Sequence, residues 1–242
     1  MLLRRVLPSD HGVVDLGSAD GDALLREWYR PVGPGLRLMM IATLDGHAVG
    51  DDGTSVTLSS DTDRRVLHAV RAHADAIVIG AKTVRREPIG SAGGAAVVVV
   101  SASGALEGHR LTAAAAETAL IVVTTPTGAD SARAALAPLP AEVIALTPDE
   151  SGRPSAPAIV EALRARGFEH LVCEGGPALA AQLRASGLVD EVCLTTAPAL
   201  GGAVPLSGDD TPVTRLRPRQ LLVDEEGFSY GRWVPEGDPA TS

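Results

Sequence analysis

A carboxylate and two glycines stand together in the segment Glu174-Gly175-Gly176-Pro177. Glycines adopt main-chain conformations that other residues avoid, and they let a ligand approach the backbone closely. Pro177 favours the first turn of a helix, where its missing N–H costs nothing. Because amides at a helix start attract anions, the segment predicts a site for a phosphate group, such as that of a dinucleotide. The alternative is an ordinary tight strand-to-helix connection, but such a turn has no need of a carboxylate at Glu174.

Two further strand ends carry residues suited to chemistry. The strand predicted over residues 36–43 leads into a turn that contains Asp45, and the buried strand predicted over residues 76–80 ends at Gly80, shortly before Thr83. In open parallel sheets, ligands bind beyond the carboxyl ends of the strands. We therefore expect Asp45, Gly80, Thr83 and Glu174 to line one cleft.

The elements that hold these turns alternate along the chain. Apolar runs predict further strands at 95–100, 120–124, 142–146, 171–173 and 191–196, and helical spacing predicts helices at 59–74, 130–136, 156–166 and 178–183. Nearly continuous apolar strands that alternate with helices are typical of a parallel sheet covered on both faces. Two last strands, at 220–224 and 228–234, are expected to pair antiparallel at an edge of the sheet. The sequence therefore predicts an α/β fold with a mostly parallel central sheet.

The first 35 residues differ in character from the rest of the chain. They are rich in Ser, Asp and Gly, contain one short helical candidate at Asp20–Tyr29, and end in the proline–glycine run 31–35. We interpret residues 1–35 as a loosely organised lead-in segment. Residues 36–242 are predicted to form a single domain.

Composition excludes several classes of function. The chain has 242 residues and a formal net charge of −9, which argues against nucleic acid or an anionic membrane as a partner. Cys173 and Cys193 lie in apolar runs and are expected to be buried free thiols, with no metal-ligand spacing around them. No apolar run has membrane-spanning length, and no signal-peptide core follows the N-terminus. We therefore expect a cytoplasmic protein that holds no metal.

An ordered set of motifs identifies a family. The motifs are Ala42–Gly46, Gly53–Ser55, Arg64 with Val70–Ala72, Asp75–Gly80 with Thr83–Arg85, Glu174–Pro177, Leu188–Glu191 and Ala197–Pro198. Each motif alone is weakly specific, but the set has the order and spacing of the reductase domain of bifunctional riboflavin-biosynthesis proteins, which it resembles over roughly residues 36–202. The resemblance implies a three-layer fold like that of dihydrofolate reductase.

The resemblance also implies NADPH-dependent reduction of a pyrimidine that bears a ribose phosphate, similar to 5-amino-6-ribosylaminouracil phosphate. The nicotinamide carries the hydride and the protein positions donor and acceptor. The residues expected at the cofactor are Ile41, Thr57, Gly80, Thr83, Glu87, Gly175, Gly176, Pro177, Ala178, Leu179, Ala180 and Ala181. Those expected at the substrate are Ser55, Arg71 and Glu174. Either Asp45 or Glu174 is the expected proton source, and a homodimer is the expected assembly.

Departures from the family pattern leave the substrate open. Met39 or Met40 stands where the family often has a Lys, and Thr57 replaces a Trp. The family's Asp-Asn-Pro segment becomes Arg86–Gly90, and the Arg that follows it in the family and helps hold the ribose phosphate has no match here. A dihydrofolate or pterin-type reductase, and a catalytically silent nucleotide-binding protein of the same fold, are therefore alternatives. The cation that recognises the 2′-phosphate of NADPH is also open, with candidates Lys82, Arg85, Arg86 and Arg110.

Overall fold

The computed structural model describes residues 1–9, 12–90, 93–116, 118–206 and 213–236. Among them, the strands are β1 (Leu2–Leu7), β2 (Val13–Asp15), β3 (Gly35–Thr43), β4 (His47–Val49), β5 (Ala76–Gly80), β6 (Ala96–Val100), β7 (Leu120–Thr124), β8 (Ala141–Ala145), β9 (His170–Cys173), β10 (Glu191–Ala197), β11 (Val204–Pro205), β12 (Leu216–Asp224) and β13 (Ser229–Pro235). The α-helices are α1 (Gly21–Trp28), α2 (Asp61–Arg71), α3 (Ala81–Arg86), α4 (Ala129–Leu136), α5 (Ala156–Arg164) and α6 (Pro177–Ala185).

These elements fall into two units. Unit 1 comprises Met1–His73 and Val189–Ser242, and unit 2 comprises Ala74–Leu188. The division of the chain into a lead-in and a single domain stays a prediction. None of the helices in the described parts of the chain combines the length and the apolar character that crossing a membrane requires.

Unit 2 is built on a parallel sheet. Its described strands lie in the order β9-β5-β6-β7-β8, and each neighbouring pair is parallel. The strands β5, β6 and β7 are apolar and almost wholly buried, as expected for strands that are covered on both faces. Because all of these strands run in one direction, their carboxyl ends lie along one edge of the sheet.

Helices cover both faces of this sheet. On one face, Ile77, Ile79 and Val99 share a buried apolar cluster with Val84 of α3 and Leu136 of α4. Successive strand residues point to opposite faces, so the other face carries buried strand residues such as Val78 and Val98. The helices α5 and α6 contribute buried side chains that belong outside the first cluster, including Ile159, Leu163 and Leu183. The three-layer arrangement that the sequence predicted is thus present in unit 2.

Unit 1 contains a mixed sheet with the order β2-β1-β12-β13-β10-β3. The strands β10 and β3 are parallel, and the other neighbours are antiparallel. The antiparallel pairing of β12 with β13 confirms the prediction for the two last strands. A small separate sheet pairs β4 with β11.

The sequence predicted that the two C-terminal strands lie at an edge of the sheet, and this position is wrong. The outer side of β12 pairs with β1, and β2 pairs with β1, so the N-terminal segment occupies the edge. An unpaired strand edge exposes main-chain N–H and C=O groups, and the N-terminal segment satisfies those of β12. The predicted helix in residues 1–35 is present as α1, but the two strands beside it were not predicted.

A buried ion-pair network holds the end of α1 against the sheet of unit 1. The carboxylate of Glu191 forms ion pairs with the Nε of Arg37 at 2.6 Å and with the Nε of Arg232 at 2.7 Å. All three side chains are at most 8% exposed. Both guanidinium groups also donate to main-chain carbonyls: Arg37 donates to Tyr29, and Arg232 donates to Trp28 and Arg30. The network satisfies the carbonyl groups that the helix end leaves without partners.

Two helix boundaries differ in detail from the predicted ones. The helix α2 is capped by Ser60, whose Oγ accepts the amide of Asp63, and it ends at Arg71 rather than near residue 74. The segment after β5, which the sequence indicated only as a turn, forms the short helix α3. Val84 anchors this helix because its side chain is completely buried in the core of unit 2.

A glycine contact in unit 2 yields a test of packing. Gly104 has a φ of +68°, and a Cβ on it would overlap the carbonyl oxygen of Gly128. Gly152 has a similar φ of +76°, but no described atom lies within 4 Å of its Cβ position. We expect Gly104→Ala to cost about 3 kcal/mol, because backbone strain and overpacking add, and Gly152→Ala about 1 kcal/mol from backbone strain alone. Urea denaturation measures both, and equal losses would contradict the packing argument.

Candidate functional site

The strand-to-helix turn between β9 and α6 forms as the sequence indicates. The amide of Glu174 continues the pairing with β5 by donating to the carbonyl of Val78 at 3.0 Å. Gly175 follows with a φ of +96°, and the peptide bond between Gly175 and Gly176 is cis. A positive φ of this size is rarely adopted by residues with side chains, which explains the glycine at position 175. Pro177 then begins α6, as predicted.

The main chain of the neighbouring strand end lies directly against this turn. The amide of Gly80 donates to the carbonyl of Gly175 at 2.7 Å. A Cβ on Gly80 would lie 3.1 Å from the main-chain nitrogen of Gly176, which is tighter than almost all real contacts of that type. Glycine at position 80 therefore allows two backbones to meet at the carboxyl edge of unit 2.

Thr83 completes the close contact around Gly176. The Oγ1 of Thr83 lies 3.1 Å from the position that a Cβ on Gly176 would occupy. Gly176 itself has a φ of −68° and a ψ of 177°, a conformation open to any residue. Glycine is therefore not needed at position 176 for its backbone conformation. Its lack of a side chain instead leaves a space open beside Thr83. The predicted cofactor residues Gly80, Thr83, Gly175 and Gly176 are brought together by the structure.

The start of α6 supplies amides to this space. Gly176 is the N-cap, and no side-chain cap is present within the described residues. The amides of Leu179 and Ala180 donate to the carbonyl of Gly176, and both side chains are buried. No acceptor is recorded in the described residues for the amide of Ala178, and its side chain is exposed. The amide of Ala178 is thus the donor at this helix start that is open to a ligand. The roles of Pro177 and of Leu179–Ala181 at the cofactor stay predictions.

Two carboxylates belong to the same edge of unit 2. Glu174 is half-buried immediately after β9, as predicted. Glu87 follows α3, and its amide donates to the carbonyl of Thr83 at 2.8 Å. The geometry places Glu174 next to the glycine turn in sequence and in space. The catalytic role of Glu174 and the cofactor role of Glu87 stay predictions.

In unit 1, Asp45 lies in the tight turn that follows β3, as predicted. Its Oδ1 accepts the hydroxyl of Thr43 at 2.7 Å, and both carboxylate oxygens lie 3.0 Å from the donating amide of Gly201. The Nδ1 of His47 lies 3.3 Å from Oδ1. Asp45 thus ties the turn after β3 to the loop that follows β10.

These contacts decide the charge state of Asp45. The hydroxyl of Thr43, followed by the amide of Gly201, lowers the pKa of the Asp45 carboxyl to about 2. Hydrogen bonds of this kind stabilise the carboxylate over the protonated acid. The contacts therefore favour the ionised form of Asp45 and make its carboxyl a poor proton donor.

The other predicted residues of unit 1 lie on three different elements. Ile41 is a buried residue of β3, and Arg71 is the last residue of α2. Ser55 and Thr57 lie between β4 and α2, where the Oγ1 of Thr57 donates to Asp52 at 3.2 Å. Cofactor binding by Ile41 and Thr57 stays a prediction, as do substrate binding by Ser55 and Arg71 and the shared cleft for Asp45 and Glu174.

The cysteines confirm the sequence interpretation. Cys173 and Cys193 are free and buried, and burial raises the pKa of each thiol to about 12. Neither thiol is therefore nucleophilic at neutral pH. In the described parts of the chain, no three His, Cys, Asp or Glu side chains are grouped so that they could hold a metal ion.

Two residues of the Asp45 turn were not predicted. Thr43 precedes Asp45 by two positions, and a hydroxyl at that spacing often bonds within a turn, so a local signal existed. Gly201 is 156 residues away in sequence, and no local pattern connects it with Asp45. Only the pairing of β3 with β10 brings the loop after β10 to this turn.

Unit 2 defines the class of protein: an α/β protein in which a glycine-lined turn joins the end of a parallel strand to a helix. The sequence matches the model of the RibD C-terminal domain over residues 34–230. The chain therefore belongs to the family of RibD C-terminal domains. This confirms the family that the sequence motifs indicate.

A curated relative agrees over a short stretch. The riboflavin biosynthesis protein RibD of Corynebacterium ammoniagenes is 40% identical over 76 residues, which are 29% of this chain and 22% of that protein. The matched stretch thus spans about a fifth of the relative's length.

Solved structures share the fold. A pyrimidine reductase-like protein from Corynebacterium diphtheriae superposes with a TM-score of 0.73 and 27% identity over 85% of this chain and 93% of that one. A Thermotoga maritima diaminohydroxyphosphoribosylaminopyrimidine deaminase/5-amino-6-(5-phosphoribosylamino)uracil reductase has a TM-score of 0.65 and 21% identity, with coverage of 84% and 57%. Riboflavin biosynthesis reductase Rib7 of Saccharomyces cerevisiae has a TM-score of 0.60 and 15% identity, with coverage of 89% and 99%. These likenesses confirm the predicted fold class.

The space above Gly176 can be tested directly. We expect Gly176→Val to weaken NADPH binding at least about tenfold, because the side chain occupies the volume that a phosphate needs beside Thr83. Ala185→Val, at the exposed end of the same helix, is the matched control and keeps the affinity. Fluorescence titration with NADPH measures both, and circular dichroism checks the fold. Unchanged affinity in Gly176→Val would remove this turn as the phosphate site.

The charge of Asp45 predicts a pH dependence of stability. The folded-state pKa of about 2 lies below the unfolded value of ~3.9, so Asp45 stabilises the folded state above the unfolded pKa. This contribution is lost as the pH falls from about 4 through about 2. We therefore expect Asp45→Asn to lower the urea midpoint at pH 6, with a difference from the wild type that shrinks toward pH 3. Asp51→Asn, at an exposed position nearby, is the control, and a difference that stays constant with pH would contradict the assignment.

Proposed function

We propose that this protein is an NADPH-dependent reductase of a pyrimidine that carries an open-chain or cyclic ribose phosphate. Membership of the RibD C-terminal domain family supports a reductase of riboflavin biosynthesis. The single structural observation that carries the proposal is the glycine turn of unit 2, where Gly80 and Gly175 meet at the start of α6.

The residues of this turn fit a dinucleotide cofactor. Gly176 leaves a space that its own Cβ would fill, and α6 begins there without a side-chain cap in the described residues. We propose that Gly175, Gly176 and Ala178 hold the pyrophosphate, with Gly80 and Thr83 beside it. The assignments of Ile41, Thr57, Glu87, Pro177 and Leu179–Ala181 to the cofactor belong to the same proposal. When bound, NADPH supplies the hydride.

The proton that accompanies the hydride is assigned to Glu174. Reduction of an imine adds a hydride to carbon and a proton to nitrogen, so the protein needs a proton donor. The hydrogen bonds that Asp45 accepts from Thr43 and Gly201 favour its carboxylate form, so we give Asp45 a different role. We propose that Glu174 donates the proton and that Asp45 acts as a fixed anion that positions the loop at Gly201.

Substrate binding is assigned to Ser55, Arg71 and Glu174. A guanidinium group binds phosphate through paired hydrogen bonds, which suits Arg71 for the phosphate end of the substrate. A hydroxyl at Ser55 and a carboxylate at Glu174 suit the polar edge of a pyrimidine, which carries both donors and acceptors.

We further propose a cytoplasmic homodimer. The free thiols Cys173 and Cys193 are typical of a reducing compartment. The strands β12 and β13 carry half-exposed apolar side chains, among them Leu221, Val223 and Trp233, on the face opposite the buried Leu222 and Val234. Such a face supports an interface between two copies of the chain.

The role of Glu174 predicts a separation of binding from turnover. We expect Glu174→Gln to retain NADPH affinity and to lose about 10²–10⁴-fold in turnover, because an amide cannot deliver the proton. NADPH affinity is measured by fluorescence, and turnover by loss of the nicotinamide absorbance with the aminouracil ribose phosphate as substrate. Glu169→Gln, an exposed position just before β9, is the matched control and retains activity.

Substrate trials with the wild-type chain distinguish the proposal from its alternatives. Turnover of dihydrofolate without turnover of the pyrimidine would replace the substrate by a pterin. NADPH binding without turnover of either compound would indicate a catalytically silent nucleotide-binding protein. Full turnover in Glu174→Gln would remove Glu174 as the proton donor.

A further inference from the structure

Lys82 is the single lysine of a chain that contains 21 lysine and arginine residues together, so every other cation of this kind is an arginine. It is the second residue of α3 and follows Gly80 by two positions. Gly80 donates its amide to Gly175, so Lys82 begins the segment next to the glycine turn. The lone lysine is thus the residue before Thr83, whose Oγ1 lies close to Gly176 at the proposed pyrophosphate position.

No structural role within unit 2 explains Lys82. Its side chain is exposed, and no hydrogen bond or ion pair is recorded for it in the described residues. The first turn of a helix is the positive end of the helix dipole, so a cation there gains no stability. By contrast, Arg85 and Arg86 lie in the last turn of α3, where a cation is favourable. Lys82 therefore places a cation where the helix dipole disfavours one, and no contact within the described residues compensates for it. Such an exception is typical of a functional residue.

The competing cations of unit 2 have other partners. The Nη1 of Arg85 donates to the carbonyl of Ala105 at 2.6 Å, and this bond ties α3 to the segment after β6. The Nη1 of Arg110 donates to the carbonyl of Arg86 at 2.7 Å. Both guanidinium groups are thus committed to main-chain carbonyls. Of Lys82, Arg85 and Arg110, Lys82 is the one whose side chain no hydrogen bond within the described residues holds in place.

The chemistry of the cofactor restricts where its 2′-phosphate can lie. The 2′-phosphate and the pyrophosphate of NADPH are carried by the same adenosine ribose, so the two groups are only a ribose apart. We infer that the ammonium group of Lys82 binds the 2′-phosphate and makes this protein select NADPH over NADH. The inference depends on the proposed reductase function and adds to it the residue that sets cofactor specificity. A lysine serves here as a mobile point charge, which phosphate accepts without a fixed geometry.

The test compares 2′,5′-ADP with 5′-AMP, because the two probes differ only in the 2′-phosphate. We expect Lys82→Gln to weaken 2′,5′-ADP binding about tenfold or more and to change 5′-AMP binding less than about twofold. Lys82→Arg keeps most of the affinity for 2′,5′-ADP. Arg133→Gln removes the same charge at an exposed position of α4 and changes neither probe. Calorimetric titration of the full-length chain measures all of these affinities.

Chemical modification gives a second readout that is independent of activity. The chain has a single lysine, so acetylation of its ε-amine reports on one position. We expect 2′,5′-ADP to protect Lys82 from acetylation more strongly than 5′-AMP does, as measured by peptide mass spectrometry.

Four results would overturn the inference. Retained preference for 2′,5′-ADP in Lys82→Gln, or its loss in Arg86→Gln alone, would move the specificity to another cation while the reductase proposal stands. Equal affinity of the wild type for 2′,5′-ADP and 5′-AMP would mean that no residue recognises the 2′-phosphate. Failure of the wild type to bind either NADPH or NADH would remove the proposed function itself, together with the inference.

Discussion

The hydrogen bond from the amide of Gly80 to the carbonyl of Gly175 is the contact on which the edge of unit 2 depends. The absence of a side chain at position 80 favours this contact, since a Cβ there would lie tightly against the nitrogen of Gly176. The bond extends the pairing of two parallel strands by one step beyond their last paired residues. It holds the end of β5 against the turn from which α6 begins.

The carboxylates of the predicted site differ because their surroundings differ. Asp45 accepts a hydroxyl and a main-chain amide, which keep it ionised, and its main task is to hold a turn and a loop together. Glu174 follows a buried strand directly and lies beside the glycine turn. Two carboxylates with unlike surroundings can serve unlike roles on one protein.

Local signals predicted those elements whose burial is nearly complete. The run Ala76–Gly80 was predicted at the residues where β5 forms, because an apolar run between turn signals has few other interpretations. The strand Leu2–Leu7 was missed, since it mixes arginines with leucines and its partner β12 lies more than 200 residues away. This separation in sequence also explains why the C-terminal strands were wrongly placed at the sheet edge. Nothing in the residues of β12 and β13 indicates that the N-terminal strand β1 pairs beside them.

The sequence by itself determined the family, the parallel strands, the glycine turn and the presence of Glu174 and Asp45 at strand ends. These depend on residue type and on spacing over a few positions, which short-range sterics and hydrophobic burial translate directly into structure. Only the tertiary structure decided that Gly201 binds Asp45 and that a carbonyl accepts from Arg85, whereas Lys82 bonds to none of the residues that the structure describes. Such choices depend on which distant groups a folded chain brings within hydrogen-bonding distance, and no local pattern carries that information.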